Sequence, residues 1–278
     1  MNRSSQMKYI LLFLCFIGLY SCEREISFDY PTSETKVVFD GLISNEGVSV
    51  RISHTRQIGD KQEGLPISTA QVWIVSDDGV EEQLVYDNQQ GCYTSGTGLV
   101  GIPGHQYRMK ATVDGHQYEA TSTMQEPVTA DTVFFRSVKM LQDRLFFYCV
   151  KGVVPNPDER TFSLCKLMRD NEVFRWNTWS GRGIVNGTFE YDIICSSESD
   201  MDKGIDDDGL IPLMEGDTIR LELLTIDRAC WDYYQSLTVS ELMTANPPTN
   251  INGGAVGLFM AAGITRPDPI VFEKKKAY

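Results

Sequence analysis

The sequence is poor in histidine. Only His54, His105 and His116 occur in 278 residues, which leaves little material for histidine-centred acid–base or triad chemistry. Positive charge is also short. Lys+Arg number 25 against 38 Asp+Glu, a formal net charge of -13. An acidic surface of that size repels phosphate backbones, so no nucleic-acid partner is expected. No G-x-S-x-G, no H-E-x-x-H and no P-loop is present, which removes the common hydrolase, metalloprotease and nucleotide templates. No Cys-x-x-Cys pair exists, so zinc-ribbon and thioredoxin-like readings fail. Spacing in sequence does not address paired carboxylates. No catalytic set emerges, and the chain reads as a non-enzyme. What is present is ordinary for a globular protein: 42% hydrophobic and 23% charged residues. The length suits one large or two ordinary domains.

The first residues give an address. Arg3 and Lys8 precede an apolar run from Tyr9 to Leu19. That run is too short to cross a hydrocarbon core of about 30 Å, and it has the proportions of a secretory h-region. Leu19-Tyr20-Ser21-Cys22 follows, a bacterial lipobox. The expected signal peptide is 1–21. Cys22 is expected to carry a diacylglycerol on its thiol and an acyl chain, such as palmitate, on its amino group. Each buried methylene contributes about 0.8 kcal/mol, so two or three chains hold a protein firmly in a membrane. The plainer alternative is an ordinary signal peptide that contains a cysteine. Glu23-Arg24-Glu25 comes next, in a polar tether over 22–35. Of the seven cysteines, Cys15 lies in the h-region. Cys92, Cys149, Cys165, Cys195 and Cys230 remain. They read as buried small apolar residues with room for one disulfide.

From Lys36 onward the pattern is β. Val48, Val50 and Ile52 alternate with Ser49, Arg51 and Ser53, the mark of a half-buried strand. Asp77-Asp78-Gly79 and Asp114-Gly115 close hairpins. Seven or so short strands within about 90 residues predict a sandwich over 36–126. A second β-rich domain is predicted over 127–278. It holds one helix at about 227–244, stopped by Asn246-Pro247-Pro248. The fold class is mainly β, as two sandwich-like domains with one α-helix near the C-terminal end. Lys274-Lys275-Lys276 is expected to fray.

Three constellations merit a chemical reading. Gly96-Thr97-Gly98-Leu99-Val100-Gly101 matches G-x-G-x-x-G, but Pro103-Gly104 and a strand follow in place of a helix. The glycines therefore read as loop positions, not a dinucleotide site. Asp200, Asp202, Asp206, Asp207 and Asp208 form the densest acidic run and are a candidate Ca²⁺ site. Gly204, Ile205 and Ile211 stand where the EF-hand template needs an oxygen ligand, a glycine and a glutamate. A solvated acidic loop is the alternative. Arg175, Trp176, Trp179 and Arg182 cluster around Ser180-Gly181. On a loop such a set suits a ligand or partner contact through stacking and cation–π attraction; it also suits a loop packed on its own sandwich.

Several segments stand as landmarks in order along the chain. They are Cys22, Val37-Val38-Phe39-Asp40-Gly41-Leu42-Ile43, Pro66-Ile67-Ser68-Thr69-Ala70-Gln71-Val72, Gly91-Cys92-Tyr93, Pro103-Gly104-His105-Gln106-Tyr107 and Tyr118-Glu119-Ala120-Thr121. Gly216-Asp217-Thr218-Ile219, Ile226-Asp227, Tyr233-Tyr234 and the run from Asn250 to Phe259 complete the set. In this order the chain resembles the Bacteroidota outer-membrane lipoproteins catalogued as the domain of unknown function 4249 family. Its first domain also resembles transthyretin-like or carboxypeptidase-regulatory modules. The resemblance implies an outer-membrane lipoprotein facing the cell exterior, beside a TonB-dependent receptor. It supplies no catalytic residues. The segment 170–210 carries no family landmark. A binding or accessory subunit is the expectation, with a structural or adhesive surface protein as the alternative.

Overall fold

The computed structural model describes residues 34–56, 64–156, 160–181, 184–206, 209–240 and 247–277. The first strands are β1 (Val37–Ser44), β2 (Gly47–His54), β3 (Gln71–Ser76), β4 (Glu81–Gln83), β5 (Val85–Asp87) and β6 (Cys92–Thr94). They are followed by β7 (Gln106–Val113), β8 (His116–Thr123), β9 (Thr132–Met140), β10 (Asp143–Val153), β11 (Phe162–Arg169) and β12 (Glu172–Trp179). Next come β13 (Thr188–Ser197), the short helix α1 (Glu198–Lys203), β14 (Thr218–Ile226) and the helix α2 (Arg228–Ser240). The chain ends with β15 (Ile251–Asn252), β16 (Val256–Thr265), β17 (Ile270–Val271) and a 3-10 turn at Lys274–Lys276. The protein is mainly β, and only two α-helices occur among the described residues.

The strands form three sheets. The largest runs β12-β11-β14-β16-β1-β2-β6-β5, with β17 also on β14. The others are β13-β10-β9 and β15-β8-β7-β3-β4. Hairpin chemistry explains much of the pairing. Asp114 and Gly115 both take positive φ, as do Asp170 and Asn171. Two consecutive left-handed residues are what a two-residue turn with the right twist requires.

β16 is the keystone. It pairs parallel with β1, from Val38↔Val256 to Ser44↔Ala262, and antiparallel with β14 at Leu223↔Thr265. Phe259 and Ala261 belong to a core with Phe39, Val50, Ile74, Met109 and Met124. Leu258, Met260, Ala262 and Ile264 belong to another core with Leu164, Leu224, Ile226 and Cys230 beneath α2. A strand buried on both faces reads as one apolar run, as Val256–Ile264 does. Two asparagines hold its backbone. Asn250 donates to the Phe259 carbonyl at 2.7 Å and accepts from the Phe259 N–H at 3.0 Å. Asn45 does the same to Ile264, at 3.1 and 2.7 Å. Pro127 follows β8, yet the first core also takes Ile251, Ala255, Phe259 and Ala261 from near the chain end. A third core, around Phe146, Tyr148, Leu167, Leu221 and Phe272, lies in the second half.

α2 begins at Arg228, close to the predicted start. Residues 241–246 lie outside the described residues. Asp227 caps the helix: its Oδ1 accepts from the Cys230 N–H at 2.9 Å. Its Oδ2 accepts from the Ser122 hydroxyl at 2.6 Å and the Thr123 N–H at 3.1 Å, tying the helix to β8.

The C-terminal tail is ordered, not frayed. Phe272 is fully buried, with its ring 5.0 Å from Phe135 and 5.3 Å from Phe146. β17 pairs with β14, and Lys274 reaches Glu198 at 2.7 Å. An aromatic anchor outweighs the fraying tendency of a charged end.

Candidate functional site

The tryptophan cluster lies on a strand, not on the loop that its composition suggests. Arg175, Trp176 and Trp179 belong to β12, which pairs with β11 at Lys166↔Trp176 and Ser163↔Trp179. Arg182 lies outside the described residues. Period-two alternation then separates the side chains. Trp179 is buried, 4.7 Å from the Phe189 ring. Trp176 is 37% exposed and meets Tyr234 of α2 at 5.7 Å. Trp179 therefore serves packing, while Trp176 rests part-exposed against α2. The sequence signal for β12 is its turn: Asp170-Asn171 closes the β11–β12 hairpin at Arg169↔Glu172.

Arg175 turns toward the acidic segment. Its guanidinium pairs with the carboxylate of Asp206 and stacks 4.7 Å from the Phe174 ring. The two stretches singled out in the sequence thus meet in a depression of about 410 Å³. Arg175, Asp143, Ser197, Ser199, Asp200 and Asp206 are among its lining residues. The acidic stretch is partly helical. Ser197 caps α1 by accepting from the Asp200 N–H, and Gly204 closes it in the left-handed region at φ 74°. Ser197-x-x-Asp200 followed by Gly204 is a readable capping signature.

The carboxylates here have local partners. Asp143 accepts from the Ser199 hydroxyl at 2.6 Å and from the Arg144 N–H at 2.7 Å, contacts that hold its pKa below the ordinary value. Asp200 accepts from the Ser197 hydroxyl at 2.6 Å, and Lys203 lies 3.7 Å away. Asp202 is exposed. Asp207 and Asp208 lie outside the described residues. Among the described residues, no three His, Cys, Asp or Glu side chains gather as a metal ligand set. The depression offers hydroxyls, one guanidinium and engaged carboxylates. Such a set can recognise polar groups by hydrogen bonding.

The histidines take separate places. His54 ends β2 and His116 begins β8. His105 Nδ1 sits 2.7 Å from Asp77 Oδ1. All five described cysteines are buried and unpaired. Burial pushes the thiols of Cys165 and Cys195 up to about 12, and that of Cys230 well above its ordinary value. Such thiols stay protonated at neutral pH and are poor nucleophiles.

The glycine motif makes an anion nest, which the protein fills itself. Glu82 of β4 accepts from the Gly96 and Thr97 N–H groups at 2.8 and 3.0 Å. It also accepts from the Ser95 and Thr97 hydroxyls at 2.9 and 2.7 Å. Partial burial pushes its carboxyl up, but the Thr97, Ser95 and Gly96 donors outweigh this and leave its pKa below the ordinary 4.5. No spacing rule links Glu82 to this loop; the contact exists only once the sheets close.

A carboxyl whose pKa falls on folding stabilises the fold above its unfolded pKa. That stability is lost as pH falls through the folded value. Glu82→Gln is therefore expected to cost about 1–3 kcal/mol at pH 7. Chemical denaturation should show the gap from wild type narrowing below about pH 4. A gap constant with pH would disprove the nest.

No curated protein matches the sequence. Among solved structures, the chicken interferon gamma receptor alpha chain shares 9% identity at a TM-score of 0.18, over 70% of this chain and 90% of that one. A likeness that loose carries no argument. A family model described as a domain of unknown function (DUF4249) matches residues 23–267, and with most of its length inside that match the chain belongs to the DUF4249 family.

Proposed function

We propose that the protein is a lipid-anchored outer-membrane lipoprotein, displayed at the cell surface as a non-enzymatic binding or accessory subunit of a TonB-dependent transporter. One observation carries the reading. The family match begins at residue 23, directly after the lipobox cysteine Cys22. The part of the chain with family character thus starts where lipoprotein processing would start the mature protein. The acidic Glu23-Arg24-Glu25 that follows suits export to the surface. Recognition would be by side chains fixed on a β scaffold, where binding groups hold their geometry without a large ordering cost. The buried, protonated thiols fit a role without covalent chemistry.

The test is copurification. The chain is tagged at its C-terminus, outer membranes are extracted in mild detergent, and bound proteins are identified. A TonB-dependent barrel in stoichiometric amount is expected. A lipoprotein recovered alone, still anchored and surface accessible, would overturn the transporter role and leave adhesion as the better description.

A further inference from the structure

We infer that the outer face of the five-stranded sheet is a binding site for a neutral carbohydrate, centred on Trp73. Trp73 faces Gln83 on β4 and Lys110 on β7. Lys110 faces Glu119 on β8, and Glu119 faces Asn252 on β15. Gln83, Trp73, Lys110, Glu119 and Asn252 therefore form one row across all five strands. At about 4.8 Å per strand interval the row spans roughly 19 Å.

Alternation fixes which way the row points. Val72, Ile74, Met109, Ala111 and Ala120 are buried in the first core. Their sequence neighbours in the row must project to the other side. Gln83 and Asn252 are exposed there, while Trp73, Lys110 and Glu119 are half-buried. A depression of about 410 Å³ lies along the row, lined by Trp73, Lys110, Glu119 and Asn252 together with Gln117 and Tyr118. A glycine completes it. Gly253 has φ 99°, and a Cβ there would sit 2.6 Å from the Gln117 carbonyl oxygen. Glycine thus lets β15 approach closely enough to add the fifth strand.

The charges of this face cancel locally. Arg108 lies 3.4 Å from Glu119, and Lys110 lies 3.5 Å from Glu81. Two cations against two carboxylates leave a neutral patch on a protein of net charge -13. Neither an anion nor a cation finds an unmatched counter-charge there. What remains is an aromatic ring beside Gln83, with the exposed amides of Gln117 and Asn252 farther along the same face. A neutral oligosaccharide matches this set: one pyranose packs its C–H face on the indole, and hydroxyls of successive sugar units along the row both donate to and accept from Gln83, Gln117 and Asn252. Because a sugar hydroxyl replaces a water at each amide, affinity would come mainly from the ring.

The site does not depend on the anchor, so it is tested separately from the lipoprotein reading. The full chain, solubilised in mild detergent, is run in native gels containing amylopectin, yeast mannan, laminarin or xylan, with heparin as the anionic comparison. Retardation in at least one neutral gel is expected. Trp73→Ala should weaken it about 30-fold, and Trp73→Tyr should restore most of it. The exposed-site changes Gln83→Ala and Asn252→Ala should each weaken it about fivefold without affecting the melting temperature. No retardation in any neutral gel, retardation by heparin alone, or retardation unchanged in Trp73→Ala with that variant folded would each overturn the proposal. So would loss in Trp73→Ala that Trp73→Tyr fails to restore while both amide variants bind normally.

Discussion

Replacing Gly257 with alanine is expected to leave little folded protein. Gly257 opposes Phe39 in the parallel β1–β16 ladder and has φ 100°. A side chain there meets two separate obstacles. Left-handed backbone costs an L-residue roughly 1–2 kcal/mol. A Cβ would also overlap the Phe39 carbonyl oxygen and lie 2.9 Å from the Phe39 nitrogen. Backbone cannot swing aside as a flexible side chain can. The only relief is to part β1 from β16, and β16 is held on every side. Its faces lie in two cores, and Asn250 and Asn45 grip its backbone at Phe259 and Ile264. The expected cost exceeds about 4 kcal/mol, a large share of the stability of an ordinary domain. Gly254→Ala is the control. Gly254 also has positive φ, at 86°, but an added Cβ meets nothing within 4 Å. It should cost only the backbone strain, roughly 1 kcal/mol. Chemical denaturation of the two variants separates the effects. Equal midpoints would show that the strand yields and that β16 is not the keystone.

What could be read in the sequence follows from which forces are local. The alternation of Val48, Val50 and Ile52 reports a half-buried strand, and β2 has that form with all three residues buried. Asp114-Gly115 reports a hairpin because its positive φ angles are a property of two adjacent residues. The start of α2 is readable because Asp227 caps within three residues. The partners of β16 are another matter. Val256–Ile264 reads as a strand, but nothing local says that β1, over 200 residues earlier, lies parallel beside it. The site residues divide in the same way. Tryptophan and arginine beside Ser180-Gly181 resemble a loop by composition. Pairing with β11 overrides that, and alternation sends Trp179 inward and leaves Trp176 against Tyr234. The meeting of Arg175 with Asp206, like the capture of the glycine loop by Glu82, needs the tertiary fold before it exists. The row around Trp73 is a matter of register across five strands. Single residues of it are visible in the sequence, but their alignment is not.

Cys22→Ser is expected to abolish membrane anchoring, the second large effect. The lipobox reading makes the Cys22 thiol the acceptor of the diacylglycerol, and serine offers no thiol. Acylation precedes cleavage in that sequence of events, so the variant should also keep residues 1–21. Two readouts follow in cells fed labelled palmitate. Label on the protein should fall to background, and the mature band should be replaced by a slower precursor that is missing from the outer-membrane fraction. The energetic contrast is steep. One myristoyl-sized chain gives only marginal, reversible binding, whereas two or three chains at about 0.8 kcal/mol per methylene hold essentially all of the protein in the bilayer. No intermediate membrane affinity is therefore expected. The folded body supplies no substitute anchor of the helical kind: no helix among the described residues is long and apolar enough to cross a membrane. An ordinary signal peptide predicts the opposite pattern. The variant would be cleaved normally, would carry no less label than wild type, and would fractionate as wild type does. That result would remove the anchor from the proposed function while leaving the carbohydrate face open to its own test, since Trp73 and its row belong to the folded body and not to the tether.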